Sequence, residues 1–144
     1  MLQAKATHII IFLLVIAHQI LGMLWYSPWL FAFQWLRLTG LSPADIDPQN
    51  LMPFAISILA STLLCYTMAW TFVLLKIPSA LRGMRAGFVI WFVFLFMITL
   101  THASFSQVPM KLILIDMSRD FLMFLLTGAV LGAWNARLSQ KGSP

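Results

Sequence analysis

The sequence predicts an all-α integral membrane bundle of four transmembrane helices, with a short interfacial helix in the first, outer loop. Hydrophobic residues make up 61% of the 144 residues and charged residues only 9%. A soluble domain carries about 25% charged residues, because its surface must be wetted. The apolar residues also fall into four runs, each close to the roughly 20 residues that a transmembrane helix needs.

The predicted spans divide a single membrane domain, residues 1–144, into four helices. They cover about residues 8–26, 52–75, 86–108 and 110–134. The first run ends in Leu24-Trp25-Tyr26 without a small-x-small cleavage pattern, so we interpret it as a retained helix and not as a signal peptide. Pro53 falls in the first turn of the second span, where proline is tolerated. Pro109 separates the third and fourth spans, which predicts a tight hairpin.

The distribution of lysine and arginine predicts the orientation of these helices. The side that holds both termini and the loop from residue 76 to residue 85 carries Lys5, Lys76, Arg82, Arg85, Arg137 and Lys141. The other side carries only Arg37 and Lys111, together with Asp45 and Asp47. By the positive-inside rule, both termini are expected in the cytoplasm. The basic residues are scattered and form no patch, so the net charge of +5 does not indicate a nucleic-acid partner.

The first loop is expected to contain a helix over about residues 28–38. Ser27 and Pro28 form an N-cap and first-position pair, and Gly40 is a C-terminal stop. This segment is too short to cross a membrane, and tryptophan prefers the headgroup region, so we expect the helix to lie in the outer interface. Its expected interfacial anchors are Trp25, Tyr26, Trp29 and Trp35. Ser42 marks a second, weaker helix start.

The run from Gly22 to Phe31 reads Gly-Met-Leu-Trp-Tyr-Ser-Pro-Trp-Leu-Phe. It resembles the signature of a bacterial membrane family catalogued as domain of unknown function 1761. Later parts of the chain fit the same pattern: Trp35, Leu38-Thr39-Gly40-Leu41, Leu112-Ile113-Leu114-Ile115 and Gly128-x-x-x-Gly132-Ala133-Trp134. The resemblance implies a four-helix protein of the bacterial inner membrane and implies no activity.

The chain departs from this family pattern at two places. Ala32 stands where many family members have glycine. Asp116 and then Ser118-Arg119-Asp120 stand where many members have asparagine and then an aromatic-histidine pair. A role of that polar position in relatives therefore does not transfer directly to this chain.

The ionisable residues inside the predicted spans are the candidate functional residues, because charge within hydrocarbon is costly. Asp116, Arg119 and Asp120 share one face of the fourth helix through spacings of three and four. Arg119 lies roughly 12 Å along that helix from Lys111 at the usual helical rise. His18 and His102 fall at a similar depth on the first and third helices. The candidate polar layer or pathway is therefore His18, His102, Asp116, Arg119 and Asp120.

Three interpretations of this layer are open. In the first, it is a buried polar network in which Arg119 pairs with Asp116 and fixes the helix register. In the second, it lines a water-filled path for an ion, a proton or a small solute. In the third, the fourth helix begins near Phe121 and the charged turn lies at the surface. Residues 121–134 would then cover only about 21 Å, which is short for a span.

Cofactor and enzyme chemistry has weaker support in the sequence. His18 and His102 lie on different helices without His-x-x-x-His or Glu-x-x-His spacing, so we expect no metal and no haem, although a haem- or metal-binding protein remains an alternative. A hydrolase built from Ser118, His102 and Asp116 would lack its strand-turn-helix context, so we expect no catalytic residues. Cys65 is the only cysteine, which excludes an intrachain disulfide.

Small residues indicate where helices pack. Gly128-x-x-x-Gly132 permits close helix approach, and Ser57 and Ser61 belong to a small-residue stripe on the second helix. The glycines lie roughly 80–160° around the helix from Asp116, so they are expected to face a different neighbour, either in this chain or in a second copy. The expected function is a structural or accessory binding protein of the bilayer, with itself or another membrane protein as partner; the alternative is a small oligomeric channel or transporter.

Overall fold

The computed structural model describes residues 2–141 and the side chains of residues 7–140. Within these residues all regular structure is helical, which confirms the predicted all-α class. The helices are α1 (Leu2–Trp25), α2 (Ala32–Thr39), α3 (Met52–Leu74), α4 (Ala80–Ile90), α5 (Met97–Phe105) and α6 (Met110–Lys141). A 3-10 turn, Pro43–Asp45, follows α2, and a π-helical segment, Trp91–Phe96, joins α4 to α5.

The long helices alternate in direction. One end of the bundle, which we call the first-loop end, is where α1 and α5 end and where α3 and α6 begin. At this end the indole Nε1 of Trp25 donates to the carbonyl oxygen of Ile115 across 2.9 Å. At the opposite, terminal end, Nε1 of Trp134 donates to Oγ1 of Thr7 across 3.0 Å. The N-terminal helix and α6 are therefore joined at both ends.

Among the described residues, three helical segments are long and apolar enough to cross a membrane: Thr7–Trp25, Met52–Leu74 and Ala80–Phe105. Their outward surface is strongly apolar, as shown by Phe12 and Phe94, which are 64% and 66% exposed. Exposed apolar surface on this scale is what lipid covers. The predicted fourth helix, α6, is 32 residues long, but it is more polar than these three segments, and its crossing stays a prediction.

The third long helix begins earlier than expected. The sequence predicted a loop up to residue 85, whereas α4 starts at Ala80. Ser79 is its N-cap, with Oγ accepting a hydrogen bond from the backbone N–H of Arg82 across 3.3 Å. Arg82 and Arg85 therefore lie in the first turns of a helix. Their charge suggested a loop, yet arginine is a good helix former.

The helix of the first loop begins later than expected. It was predicted from residue 28 with Ser27 as its cap, but α2 starts at Ala32. The carbonyl of Ser27 accepts from the backbone N–H groups of both Leu30 and Ala32, so residues 27–31 form a turn. The Ser27 hydroxyl is buried without a hydrogen-bond partner and caps nothing. Gly40 ends α2 with a left-handed φ of 73°.

Glycines bring α4 and α6 into backbone contact. A Cβ added to Gly83 would collide with the carbonyl oxygen of Gly128 and lie 2.9 Å from the Cα of Gly132. A Cβ on Gly87 would collide with the carbonyl oxygen of Phe124. Gly128 and Gly132 are thus occupied by a helix of the same chain. The matching Gly83-x-x-x-Gly87 spacing was overlooked because half of it fell in the assumed loop.

The turn between α3 and α4 is closed by a side chain of α6. Lys76 occupies this turn with a positive φ of 49°. Nδ2 of Asn135 donates to the carbonyl oxygens of Phe72 and Ile77, across 3.0 and 2.8 Å. The Phe72 carbonyl lies in the last turn of α3 and also accepts from the backbone N–H of Ile77, whereas the Ile77 carbonyl lies in the turn that follows. The Asn135 amide therefore adds a contact of α6 with this turn to the bond between Trp134 and α1 at the same end.

Candidate functional site

The charged turn of α6, residues 116–120, contains an ion pair between two neighbouring residues. Nη1 of Arg119 donates to Oδ1 of Asp120 across 2.8 Å, and this is the one ion pair among the described side chains. The expected pairing of Arg119 with Asp116 is not formed, because the Asp116 carboxylate is bonded elsewhere and the guanidinium extends towards α1. Arg119 and Asp120 are 20% and 25% exposed, so the pair is largely buried.

Gly22 makes room for Arg119 on α1. A Cβ added to Gly22 would lie 3.2 Å from Nη2 of Arg119. The same nitrogen lies 3.5 Å from the carbonyl oxygen of His18, at the long limit of a hydrogen bond. Nε of Arg119 is buried without a partner. The arginine therefore bridges α6 to α1 and leaves part of its hydrogen-bonding capacity unused.

Asp116 is held by the signature segment. The hydroxyl of Tyr26 donates to its Oδ1 across 2.7 Å, and the ring of Trp35 packs edge-on against Tyr26 with centroids 5.7 Å apart. Trp25 bonds the neighbouring turn of α6. Three of the predicted interfacial anchors thus contact α6 or each other, whereas Trp29 is 89% exposed. Helical spacing could not reveal a contact between segments so far apart in the chain.

His18 lies in the interior of the bundle, 5% exposed. Its Nε2 is hydrogen-bonded to Oγ1 of Thr127 across 3.1 Å. Cys65 of α3 is fully buried and adjoins the same threonine hydroxyl. His18 therefore sits where α1, α3 and α6 meet, with a partner that satisfies one ring nitrogen.

The serines of α3 belong to a separate polar contact with α1. Oγ of Ser57 donates to Oε1 of Gln19 across 3.1 Å. Nε2 of Gln19 donates to Oγ of Ser61, also across 3.1 Å. Sequence reasoning overlooked Gln19, although an amide inside an apolar run next to His18 was a readable signal.

His102 is exposed and lies apart from the interior residues. It lines a groove of about 290 Å³ between α5 and α6, together with Thr99, Ser106 and Asp116. The predicted layer thus divides into an interior part around His18, Arg119 and Asp120, and a groove part around Asp116 and His102. No group of three potential metal-ligating side chains occurs among the described residues.

These observations define the class: an all-α protein with three helices apolar enough to cross a membrane and a polar layer within its bundle. A family model described as Protein of unknown function (DUF1761) matches residues 9–132. The chain belongs to this family, which confirms the predicted family membership. A comparison with curated proteins found no match, and a comparison with solved structures found none either.

Proposed function

We propose that this chain is a four-span protein of the bacterial inner membrane, with both termini in the cytoplasm, that acts as a structural or accessory binding protein. The proposal rests on one observation: the ionisable side chains of the charged turn bond other groups of the same chain. Asp116 accepts from Tyr26, which follows α1. Arg119 pairs with Asp120 of its own helix and extends to the His18 carbonyl of α1. Charged groups that join segments of the same chain fix the register between helices. A protein with this role does not have to conduct a solute.

Contacts along α6 support its crossing. Close to the first-loop end, Ile115 accepts from α1. In the middle, Thr127 bonds His18 of α1. Close to the terminal end, Asn135 donates to the last turns of α3. These contacts extend from one end of α1 to the other, which supports a crossing of α6 beside it. The continuous helix from Met110 also disfavours a start near Phe121.

The positions of the basic residues support the orientation. Arg82 and Arg85 lie in the first turns of α4, and Arg137 in the last turns of α6, all at the terminal end. The first-loop end has Arg37 and Lys111. Under the positive-inside rule, this distribution supports a cytoplasmic location of the terminal end. The polar layer then lies in the outer half of the bilayer.

Arginine variants test the structural role. Arg119→Ala and Arg119→Lys are compared with Arg37→Ala, which removes an exposed arginine from α2. Each protein is reconstituted in lipid nanodiscs for thermal unfolding and in liposomes for ion and proton flux. We expect Arg119→Ala to unfold at a lower temperature than Arg37→Ala, Arg119→Lys to fall between them, and no variant to change flux. An Arg119→Ala protein as stable as Arg37→Ala, with altered flux, would contradict the proposal.

A small oligomeric transporter is the second candidate. The groove favours it, because Asp116 and His102 line a space that is reachable from outside the bundle. Under this alternative, Asp116→Asn stays folded and changes the flux of one solute. Under the structural role, the same variant leaves liposomes as tight as the unmodified protein does.

A further inference from the structure

We infer that the groove between α5 and α6 binds the ammonium head group of a membrane lipid. The inference rests on the proposed membrane placement and adds a ligand to it. Three polar side chains of α5 and its C-terminal end, Thr99, His102 and Ser106, face Asp116 of α6 across this groove. Its volume of about 290 Å³ suits a head group.

The charge balance of α6 leaves Asp116 without a bonded cation. The charged turn has two carboxylates and one guanidinium, and Arg119 bonds Asp120. The side chains bonded to Asp116 are those of Tyr26 and Trp35, and both are neutral. Arg119 acts on Asp116 only through space. A carboxylate at this depth is costly unless a positive charge reaches it, so the groove is matched to a cation from outside the chain.

The hydroxyls of the groove have free hydrogen-bonding capacity. Thr101 and Ser104, elsewhere on α5, donate to carbonyls of their own helix across 2.8 and 2.7 Å. Within the part of the chain whose side chains are described, the hydroxyls of Thr99 and Ser106 make no such bond, and the His102 ring has no hydrogen-bond partner. Three polar side chains with unused hydrogen-bonding capacity therefore accompany the Asp116 carboxylate.

The donor set fits an organic ammonium better than a metal ion. Calcium takes six to eight oxygen ligands and magnesium needs near-ideal octahedral geometry, each usually from several carboxylates or waters. This groove has one carboxylate, the polar side chains described above and an apolar remainder that includes Leu112, Ile113 and Met117. An ammonium group needs a few acceptors, and the carbon chain that carries it tolerates apolar walls.

The surroundings of the groove favour a lipid as the carrier. Phe105 and Met110, which flank the turn between α5 and α6, are 86% and 52% exposed. In the proposed orientation this turn lies at the outer surface of the bilayer, where lipid head groups are found. Ethanolamine phospholipids carry a primary ammonium at that depth, and the exposed apolar residues would contact their chains.

Binding is tested with the full chain in detergent, by native mass spectrometry against phosphatidylethanolamine, N-acetyl-phosphatidylethanolamine and phosphatidylglycerol. The N-acetyl lipid keeps the phosphate and chains but lacks the ammonium. We expect it to bind at least about tenfold more weakly, the effect of losing one charge-assisted hydrogen bond. Asp116→Asn should lose the preference for the ammonium lipid, and Ser104→Ala, outside the groove, should keep it.

A second variant keeps the test decisive if Asp116→Asn does not fold. Thr99→Phe fills the groove and leaves the bond between Tyr26 and Asp116 in place, so it should also abolish the preference. Equal binding of both ethanolamine lipids, or an unchanged preference in Thr99→Phe, would overturn the inference. So would full displacement of the lipid by soluble ethanolamine, which would assign the site to a free amine. A negative result in the lipid-binding assay would not change the expected order of thermal stability among the arginine variants. The two proposals can therefore be refuted independently.

Discussion

The hydroxyl of Tyr26 donates to Oδ1 of Asp116 across 2.7 Å, joining the end of α1 to the second turn of α6. These residues are 90 positions apart in the chain. The bond places the signature segment over the first turns of α6, where Trp25 adds a second bond to the backbone at Ile115. The signature run therefore connects the first and last long helices through two hydrogen bonds.

Tyr26→Phe should weaken this connection. The change removes only the hydroxyl and takes away one of the two side-chain donors of Asp116, the other being Trp35. We expect a loss of about 1–3 kcal/mol in the free energy of unfolding. Tyr66→Phe is the matched control, because its hydroxyl bonds the ring of His8 in an exposed setting at the opposite end. Steric trapping or thermal unfolding in nanodiscs measures both. A smaller effect for Tyr26→Phe than for Tyr66→Phe would contradict this role.

The glycine contact between α4 and α6 should tolerate no side chain. Gly83→Ala places a Cβ against the backbone of Gly128, which cannot move aside, and we expect a cost of about 3 kcal/mol. Gly22→Ala is the comparison, because its Cβ would meet only the end of the Arg119 side chain, 3.2 Å away. We expect a cost below about 1 kcal/mol there. Denaturant titration of both proteins in micelles gives the order, and a reversed order would disprove the close contact.

The amide of Asn135 should stabilise the terminal end. Asn135→Ala leaves the carbonyls of Phe72 and Ile77 without their side-chain donor, and we expect a loss of about 2 kcal/mol. The loss should appear as faster hydrogen exchange in the turn between α3 and α4. Gln140→Ala removes an exposed carboxamide from the same helix and should change neither quantity. Equal exchange rates in the two variants would show that the amide does not hold this turn.

The acidic residue of the 3-10 turn should respond to pH. The Ser42 hydroxyl and backbone N–H donate to the Asp45 carboxylate across 2.7 and 2.8 Å and hold its pKa below the ordinary value of 3.8. Because this pKa is lowered on folding, the turn gains stability above the ordinary value and loses it as pH falls through the lowered one. Carbon-detected NMR titration should show this order, and Ser42→Ala should move the pKa of Asp45 upward. An unmoved pKa would exclude the capping bond.

Much of the fold follows from apolar run length alone. The predicted span over residues 52–75 agrees closely with α3 (Met52–Leu74), and Gly40 ends α2 as its special backbone freedom suggests. The start of α4 was misplaced because Arg82 and Arg85 carry charge, a signal of membrane position that says little about helix ends. Local capping by Ser79 decides that boundary.

The candidate site was harder to predict. Spacing within α6 predicted that Asp116, Arg119 and Asp120 share one helix face, but it could not predict which carboxylate would pair with Arg119. That choice depends on Tyr26 and Gly22, which reach α6 through tertiary contacts. His102 was predicted at the same depth as the rest of the layer, yet its side chain is exposed. Depth along a helix does not determine which way a side chain points around the helix axis. Periodicity within a single helix carries no information about such neighbours.

The central claim is that α6, the helix that carries the Arg119–Asp120 pair, crosses the membrane. Cysteine labelling at the two ends of α6 tests this claim most directly. Cys65, which is buried, is first replaced by alanine. Single cysteines are then placed at Gln107, in the turn before α6, and at Ser139, in its last turns, both exposed. We predict that a membrane-impermeant maleimide labels the Gln107→Cys protein in intact spheroplasts and the Ser139→Cys protein only after permeabilisation. Labelling of both positions from the same side would contradict the four-span arrangement and, with it, the placement of the Arg119–Asp120 pair within the bilayer.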